Sequence, residues 1–146
     1  MLRVADLMTV EPDTVSPDTS LLEVVDRLKA DSCRQLPVMD DEGHLVGIIT
    51  DRDIRLAMNS PLVLHERSQD LALLGAATAG SVMSPNPITV APDTPAAQAA
   101  KILSTYKFGA LPVLDGDVLV GIVTVTDFLD YLAESLQALD IKLAES

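Results

Sequence analysis

The chain is poor in the residues that most chemistry needs. Its 146 residues include one Cys, two His and no Trp, with two Phe and two Tyr. Cys33 has no intrachain partner, so no disulfide staples the fold, a usage that suits a reducing cytosol. His44 and His65 lack any metal-ligand spacing such as H-E-x-x-H. Thiol–imidazole and metal-hydrolase chemistry therefore have no residues to run on, and we expect no enzyme and no metal site. Cations are scarce too: ten Lys and Arg stand against 22 Asp and Glu, a net charge of −12. Nucleic acid and anionic membrane surfaces both select basic patches, so neither is expected as a partner. The uncharged stretch 71–92 contains Gly75, Gly80, Pro85, Asn86 and Pro87, so it is not one membrane-spanning helix. The opening Met1-Leu2-Arg3-Val4-Ala5-Asp6 has no signal-peptide apolar run. On this reading a soluble, cytoplasmic protein is expected.

What is there is said nearly twice. Residues 4–54 align with 79–128 with one gap. Met8 matches Met83, Pro17-Asp18-Thr19 matches Pro92-Asp93-Thr94, and Leu36-Pro37-Val38 matches Leu111-Pro112-Val113. After a one-residue deletion, Leu45-Val46-Gly47-Ile48 matches Leu119-Val120-Gly121-Ile122. A repeat this long is a whole supersecondary unit. The expected organisation is a first repeat at 1–58, a partly helical joining segment at 59–78, and a second repeat at 79–146 with an extended final helix. Two copies imply half-domains packed about a pseudo-twofold axis, with clefts where a small ligand sits. With 48% hydrophobic but only 3% aromatic residues, the core must be aliphatic.

Each copy reads strand, helix, strand, strand, helix: an α/β fold. Thr14-Val15 and Ile88-Thr89-Val90 read as short extended pieces. Leu21, Val24, Val25 and Leu28 share one helical face, predicting a helix over 20–31, with its copy over 95–106. Pro95 suits a first helical position, which makes Thr94, and by equivalence Thr19, the expected N-caps. A strand pair follows, joined by Asp40-Asp41-Glu42-Gly43 in the first copy and by Asp115-Gly116 in the second. The runs Leu45–Ile49 and Val118–Val123 lack alternation and read as strands buried on both faces. Pro61 ends one helix, and 69–77 can form another. In the final helix, Phe128, Leu129, Leu132, Leu136, Leu139 and Leu143 make an apolar stripe, read as core-facing. Beyond the repeat it has no obvious cover within the chain, so a second subunit is expected there. Met8, Met83 and Cys33 are expected to pack against the core, and His44 and His65 to lie in surface loops.

The sharpest local signal is Gly47-Ile48-Ile49-Thr50-Asp51-Arg52-Asp53, with its partner Gly121-Ile122-Val123-Thr124-Val125-Thr126-Asp127. A buried strand ends, a hydroxyl follows, and a helix starts with Asp three residues on. Helix N-termini favour anions such as phosphate. Thr50 or Thr124 can donate a hydroxyl, and Asp53 or Asp127 can accept from ribose. The same Thr-x-x-Asp spacing is also that of a capping box, which satisfies backbone donors with no ligand. The residues alone leave both readings open.

Taken together, these duplicated motifs resemble the cystathionine-β-synthase (CBS) domain family, as a tandem pair or Bateman module. The resemblance covers nearly the whole chain apart from the joining segment and the end of the last helix. It implies two β-α-β-β-α units, commonly assembled as disc-like dimers, that sense AMP, ADP, ATP, S-adenosylmethionine or NAD, with no cofactor required. It implies phosphate and ribose contacts at Thr50, Asp53, Thr124 and Asp127. Arg34 and Arg52 match the family's phosphate-binding positions, whereas Gly109-Ala110 and Thr126 replace them in the second copy. Adenine is implied near Ile88 and Ala110, or near Thr14 and Gln35. The implied role is a non-catalytic sensor, working as a homodimer or through an unknown effector protein. The alternative is an interaction protein of the same fold that binds no nucleotide.

Overall fold

The computed structural model describes residues 1–58 and 67–145. In chain order the elements are α1 (Val4–Leu7), β1 (Thr9–Val10), α2 (Leu21–Ala30), β2 (Gln35–Met39), β3 (Leu45–Thr50), α3 (Asp51–Met58), α4 (Arg67–Ala76), α5 (Ala79–Val82), β4 (Ser84–Pro85), α6 (Ala96–Tyr106), β5 (Ala110–Asp115), β6 (Val118–Thr124) and α7 (Val125–Ala144). The predicted helices and hairpins are present. Pro61 and His65 lie outside the described residues.

The chain forms two compact units, and these do not follow the sequence repeats. One spans Pro12–Pro87; the other joins Met1–Glu11 to Ile88–Ser146. Each repeat's opening segment thus packs with the body of the other copy. In the first unit the sheet order is β2-β3-β4, and β4 belongs by sequence to the second copy. In the second unit the order is β1-β6-β5, and β1 belongs to the first copy. These short pairings, Ile48 with Ser84 and Ile122 with Thr9, had no periodic signal to announce them.

The exchange has a hydrogen-bonded reason in the Pro-Asp-Thr turns. Ala79 N and Gly80 N at the start of α5 donate to Thr19 O and Pro17 O, both at 2.8 Å. Val4 N and Ala5 N at the start of α1 donate to Thr94 O and Pro92 O, both at 2.9 Å. Free N–H groups at a helix start must find acceptors, and each turn supplies two. The threonine hydroxyls brace the turns, accepting from Ser16 N and Ala91 N at 3.0 Å. This corrects the expected caps. Thr19 and Thr94 belong to the turns, and the N-cap positions fall one residue later, at Ser20 and Pro95. Ser20 Oγ accepts from Glu23 N at 3.2 Å.

Both cores are aliphatic. Leu21, Val24, Leu28, Leu36, Val38, Ile49, Ile54 and Ala79 bury together in the 12–87 unit. Val4, Val90, Ala99, Leu103, Leu111, Val113 and Val123 do so in the other. Met83 packs on the first core and Met8 on the second, as expected. Pro37 and Pro112 sit buried within strands without breaking a ladder. Their carbonyls face Val15 N and Val90 N, at 3.1 Å, so each missing N–H points away from the β2–β3 or β5–β6 pairing. Thr14-Val15 and Ile88–Val90 contribute only the single bridges Val15–Val38 and Val90–Val113.

Three further expectations are corrected. The second hairpin loop is Gly116-Asp117, because Asp115 pairs with Val118; Gly116 takes φ +62° as the tight turn demands. The strands are not buried along their whole length: Val118 is exposed, and Leu45, Val46, Leu119 and Val120 are half-buried. The α7 stripe does not face a core. Phe128 alone among its residues packs there, and Leu129, Leu132, Leu136, Leu139 and Leu143 are exposed.

Candidate functional site

In the 12–87 unit, strand β3 ends at Thr50 and α3 begins at once. Thr50 N donates to Asp53 Oδ2 at 3.1 Å, and Asp53 N donates to Thr50 Oγ1 at 3.0 Å. In the other unit, Thr124 N donates to Asp127 Oδ2 at 2.9 Å and Asp127 N to Thr124 Oγ1 at 3.1 Å. Both sequence motifs are therefore formed capping boxes, which satisfy two orphan donors at each helix start. The boxes leave some capacity. Each threonine hydroxyl keeps its own hydrogen to donate, and each aspartate keeps Oδ1. Asp53 Oδ1 takes a long contact from Ser84 Oγ at 3.4 Å. Asp127 Oδ1 has no partner among the described residues.

The sheet brings the neighbouring candidates alongside. Gln35 pairs with Thr50 in register, and Asp51 N donates to Arg34 O at 2.8 Å. The start of β2 and the start of α3 are thus hydrogen-bonded neighbours, which puts Arg34, Gln35, Thr50, Arg52 and Asp53 at one end of the sheet. Arg34 and Arg52 are exposed, with no ion pair among the described residues. The second unit repeats the frame: Ala110 pairs with Thr124, and Val125 N donates to Gly109 O at 3.0 Å. There Gly109 and Thr126 stand where the first unit has Arg34 and Arg52.

Thr14 and Ile88 lie at the early extended pieces. Thr14 is half-buried, and its carbonyl accepts from Arg27 Nη1 at 2.9 Å. Arg27 also reaches Asp13 Oδ1 at 2.9 Å, which fixes this stretch over α2. Ile88 is half-buried against the second core. Each unit thus holds its own set: Thr14, Arg34, Gln35, Thr50, Arg52 and Asp53 in one, and Ile88, Ala110, Thr124, Thr126 and Asp127 in the other. Ser84 was missed by sequence reasoning. It reaches Asp53 only because β4 pairs across the repeats, a link that motif spacing does not carry.

Other reactive side chains have structural work. Cys33 packs on the first core and lines an apolar groove of about 390 Å³ with Val25, Leu28 and Ile54. Burial pushes its thiol pKa up, away from nucleophilic reactivity. Its repeat equivalent, Phe108, is partly exposed and stacks on Tyr106 at 5.4 Å. His44 Nδ1 lies 3.7 Å from Asp40 and 3.6 Å from Glu42 at the exposed hairpin turn. Asp40 Oδ1 already accepts from His44 N at 2.8 Å and Glu42 N at 3.0 Å, so its carboxylate organises the turn.

Two small α/β units, each starting a helix on a Thr-x-x-Asp box at a strand end, define a duplicated α/β module. The family model of the CBS domain matches residues 4–60 and again 79–134, and the chain belongs to that family as a tandem pair. It is 40% identical over 135 residues to a CBS domain-containing protein from Dictyostelium discoideum, covering 92% of this chain and 93% of that one. Among solved structures it resembles CBSX2 in complex with AMP, at 29% identity and TM-score 0.77, over 92% of this chain and 98% of that one. CBSX2 comes from Arabidopsis thaliana. The CBS domain pair of protein MJ0100, in complex with 5′-methylthioadenosine and S-adenosylmethionine, is similar at 30% identity and TM-score 0.77, over the same shares of the two chains. The chain also matches inosine-5′-monophosphate dehydrogenase of Mycobacterium tuberculosis, but spans only 21% of that enzyme's length. No helix among the described residues is long and apolar enough to cross a membrane.

Proposed function

We propose that the chain is a non-catalytic regulatory module that binds an adenosine-containing ligand and signals through a second copy or an effector protein. The observation that carries this reading is the repeated box: in both units a strand end and a helix start present a threonine hydroxyl and a spare aspartate oxygen side by side. CBSX2 with AMP and MJ0100 with 5′-methylthioadenosine and S-adenosylmethionine support the ligand class. Thr50 and Thr124 donate to phosphate or ribose oxygens, and Asp53 and Asp127 accept from ribose hydroxyls. Gln35 and Thr14, or Ala110 and Ile88, border the adenine.

The two units take different members of that class. Arg34 and Arg52 give the 12–87 unit two guanidinium groups suited to bidentate phosphate contacts. Gly109 and Thr126 offer no such charge, so the other unit takes an adenosine group without a polyphosphate. Isothermal titration with ATP, AMP and 5′-methylthioadenosine tests this. The expected result is that Arg34→Ala with Arg52→Ala weakens ATP at least about tenfold, the loss of one charge-assisted contact, and leaves 5′-methylthioadenosine unchanged. Asp127→Ala is expected to do the reverse.

A second reading has its own observation: in both boxes the threonine hydroxyl and one aspartate oxygen are engaged by the chain's own backbone N–H groups. If the boxes are caps alone, no adenosine compound gives heat. Asp53→Ala then changes only stability, by about 0.5–2 kcal/mol.

A further inference from the structure

We infer that the turn between β2 and β3 binds a transition-metal dication of the zinc class through Asp40, Glu42 and His44. Helical ligand spacing such as H-E-x-x-H is absent from the chain, but a tight turn brings together residues two and four apart. One carboxylate oxygen from each of Asp40 and Glu42 and one ring nitrogen of His44 lie within 4.8 Å of one another. His44 Nδ1 stands 3.7 Å from Asp40 Oδ2 and 3.6 Å from Glu42 Oε2. Both gaps exceed hydrogen-bond length. They come close instead to the separation of neighbouring donors around a tetrahedral ion, about 3.3–3.6 Å for bonds of roughly 2.0–2.2 Å. The exposed Glu42 side chain has room to close what remains. The imidazole, placed to face both carboxylates, sets this group apart from a patch of acids.

The backbone aims the donors in advance. Asp40 Oδ1 accepts from His44 N and Glu42 N, which leaves Oδ2 for the ion. Asp40 N donates to His44 O at 2.9 Å, and Gly43 takes φ +80°, so the turn folds His44 back over Asp40. Among the described residues no Lys or Arg pairs with either carboxylate; each faces His44 instead. With its proton on Nε2, neutral His44 turns the Nδ1 lone pair toward the ion. The donor set selects the metal. Calcium and magnesium take six or more oxygens, whereas imidazole with carboxylate suits zinc, nickel and copper. Three protein donors leave a fourth position for water or an outside ligand. The second copy has no such set. Its loop is only Gly116-Asp117, and Val118 precedes Leu119 where His44 precedes Leu45. One ion per chain is therefore expected.

This inference does not rest on nucleotide binding and is tested without nucleotide. Isothermal titration of zinc chloride into the metal-stripped full chain should give saturable binding of one ion. Losing a residue that merely orients a metal ligand costs about 10–100-fold in affinity, so losing the ligand in His44→Ala should weaken zinc at least about tenfold. Asp40→Asn should do likewise: its amide oxygen still accepts the two backbone bonds, but a nitrogen without a free lone pair replaces Oδ2. These changes lie at an exposed turn, so circular dichroism should stay unchanged. Asp41→Asn removes the same charge from the same loop without touching the donor set, and Cys33→Ser removes the chain's one thiol. Both should leave zinc affinity as it was, and calcium chloride should give no comparable binding. Absence of zinc binding, indifference to His44→Ala, or a loss centred on Cys33→Ser would each overturn the proposal. So would an equal loss in Asp41→Asn or calcium bound as tightly as zinc, either of which would mark an acidic surface only.

Discussion

Gly47 and Gly121 show how much a single missing carbon can fix. A Cβ on Gly121 would lie 2.7 Å from Met8 Sδ and 2.9 Å from Thr9 O. One on Gly47 would strike Met83 Sδ and come within 3.0 Å of Ser84 O. The backbone of the exchanged strand is part of each contact and cannot swing away as a flexible side chain would. Gly121→Ala should therefore destabilise the fold by about 1–3 kcal/mol, the usual range for overpacking, read from the shift in urea midpoint. The glycines and methionines were conspicuous in the sequence as repeated letters, but the sequence aligned like with like. Their true pairing is crosswise, Gly47 with Met83 and Gly121 with Met8. At the first hairpin, the backbone N–H of His44 above all, with help from Glu42, holds the Asp40 carboxyl below the usual carboxylate range. A depressed folded pKa means that Asp40's contribution to the turn is complete above its unfolded pKa and is lost as the pH falls through the folded one. Carboxyl-carbon NMR should show Asp40 titrating below a free peptide aspartate; a midpoint at or above the peptide value would refute the assignment. The Cys33 thiol, raised by burial, should react with a disulfide reagent at neutral pH more slowly than a free thiol.

At the scale of elements, helix starts decide most of what was legible and what was not. The Thr-x-x-Asp spacing announced α3 and α7, and both boxes form. The expected cap of α2 falls one residue early because it is carried over from Pro95 read as a first helical position, whereas Pro95 is itself the N-cap of α6 and Ser20 that of α2, both Thr19 and Ser20 being good caps by type. What separates them is tertiary: the Thr19 hydroxyl is committed to the turn that receives α5, a demand no local pattern expresses. Ser20→Ala should cost about 1 kcal/mol in thermal or chemical unfolding, as loss of an N-cap does. Thr19→Ala should instead loosen the seating of α5, seen as faster hydrogen exchange at Ala79 and Gly80. The helical period of α7 was visible too, but period alone does not say which body a stripe will meet. The candidate site was legible as motifs on single strands and helices; Ser84 was not, because its place depends on strand pairing between distant segments.

For the whole molecule, the crosswise sheets make the ends of the sequence repeats poor places to cut. Removing residues 1–11 takes β1 and Val4 from the second sheet and core while leaving every element of the 12–87 unit in place. Hydrogen exchange on that truncation should rise along 110–124 and remain near its original level along 35–50; equal loss in both would show that the units do not hold their sheets separately. A free-standing single repeat, by the same geometry, would own an opening strand it cannot use and a sheet lacking one it needs. Two such chains could satisfy each other only by trading those strands, an encounter whose probability falls with dilution. Writing both copies into one polypeptide turns the trade into an internal event at fixed effective concentration. The tandem arrangement is then a covalent answer to a strand-exchange problem, and completion of each sheet no longer depends on how much protein is present.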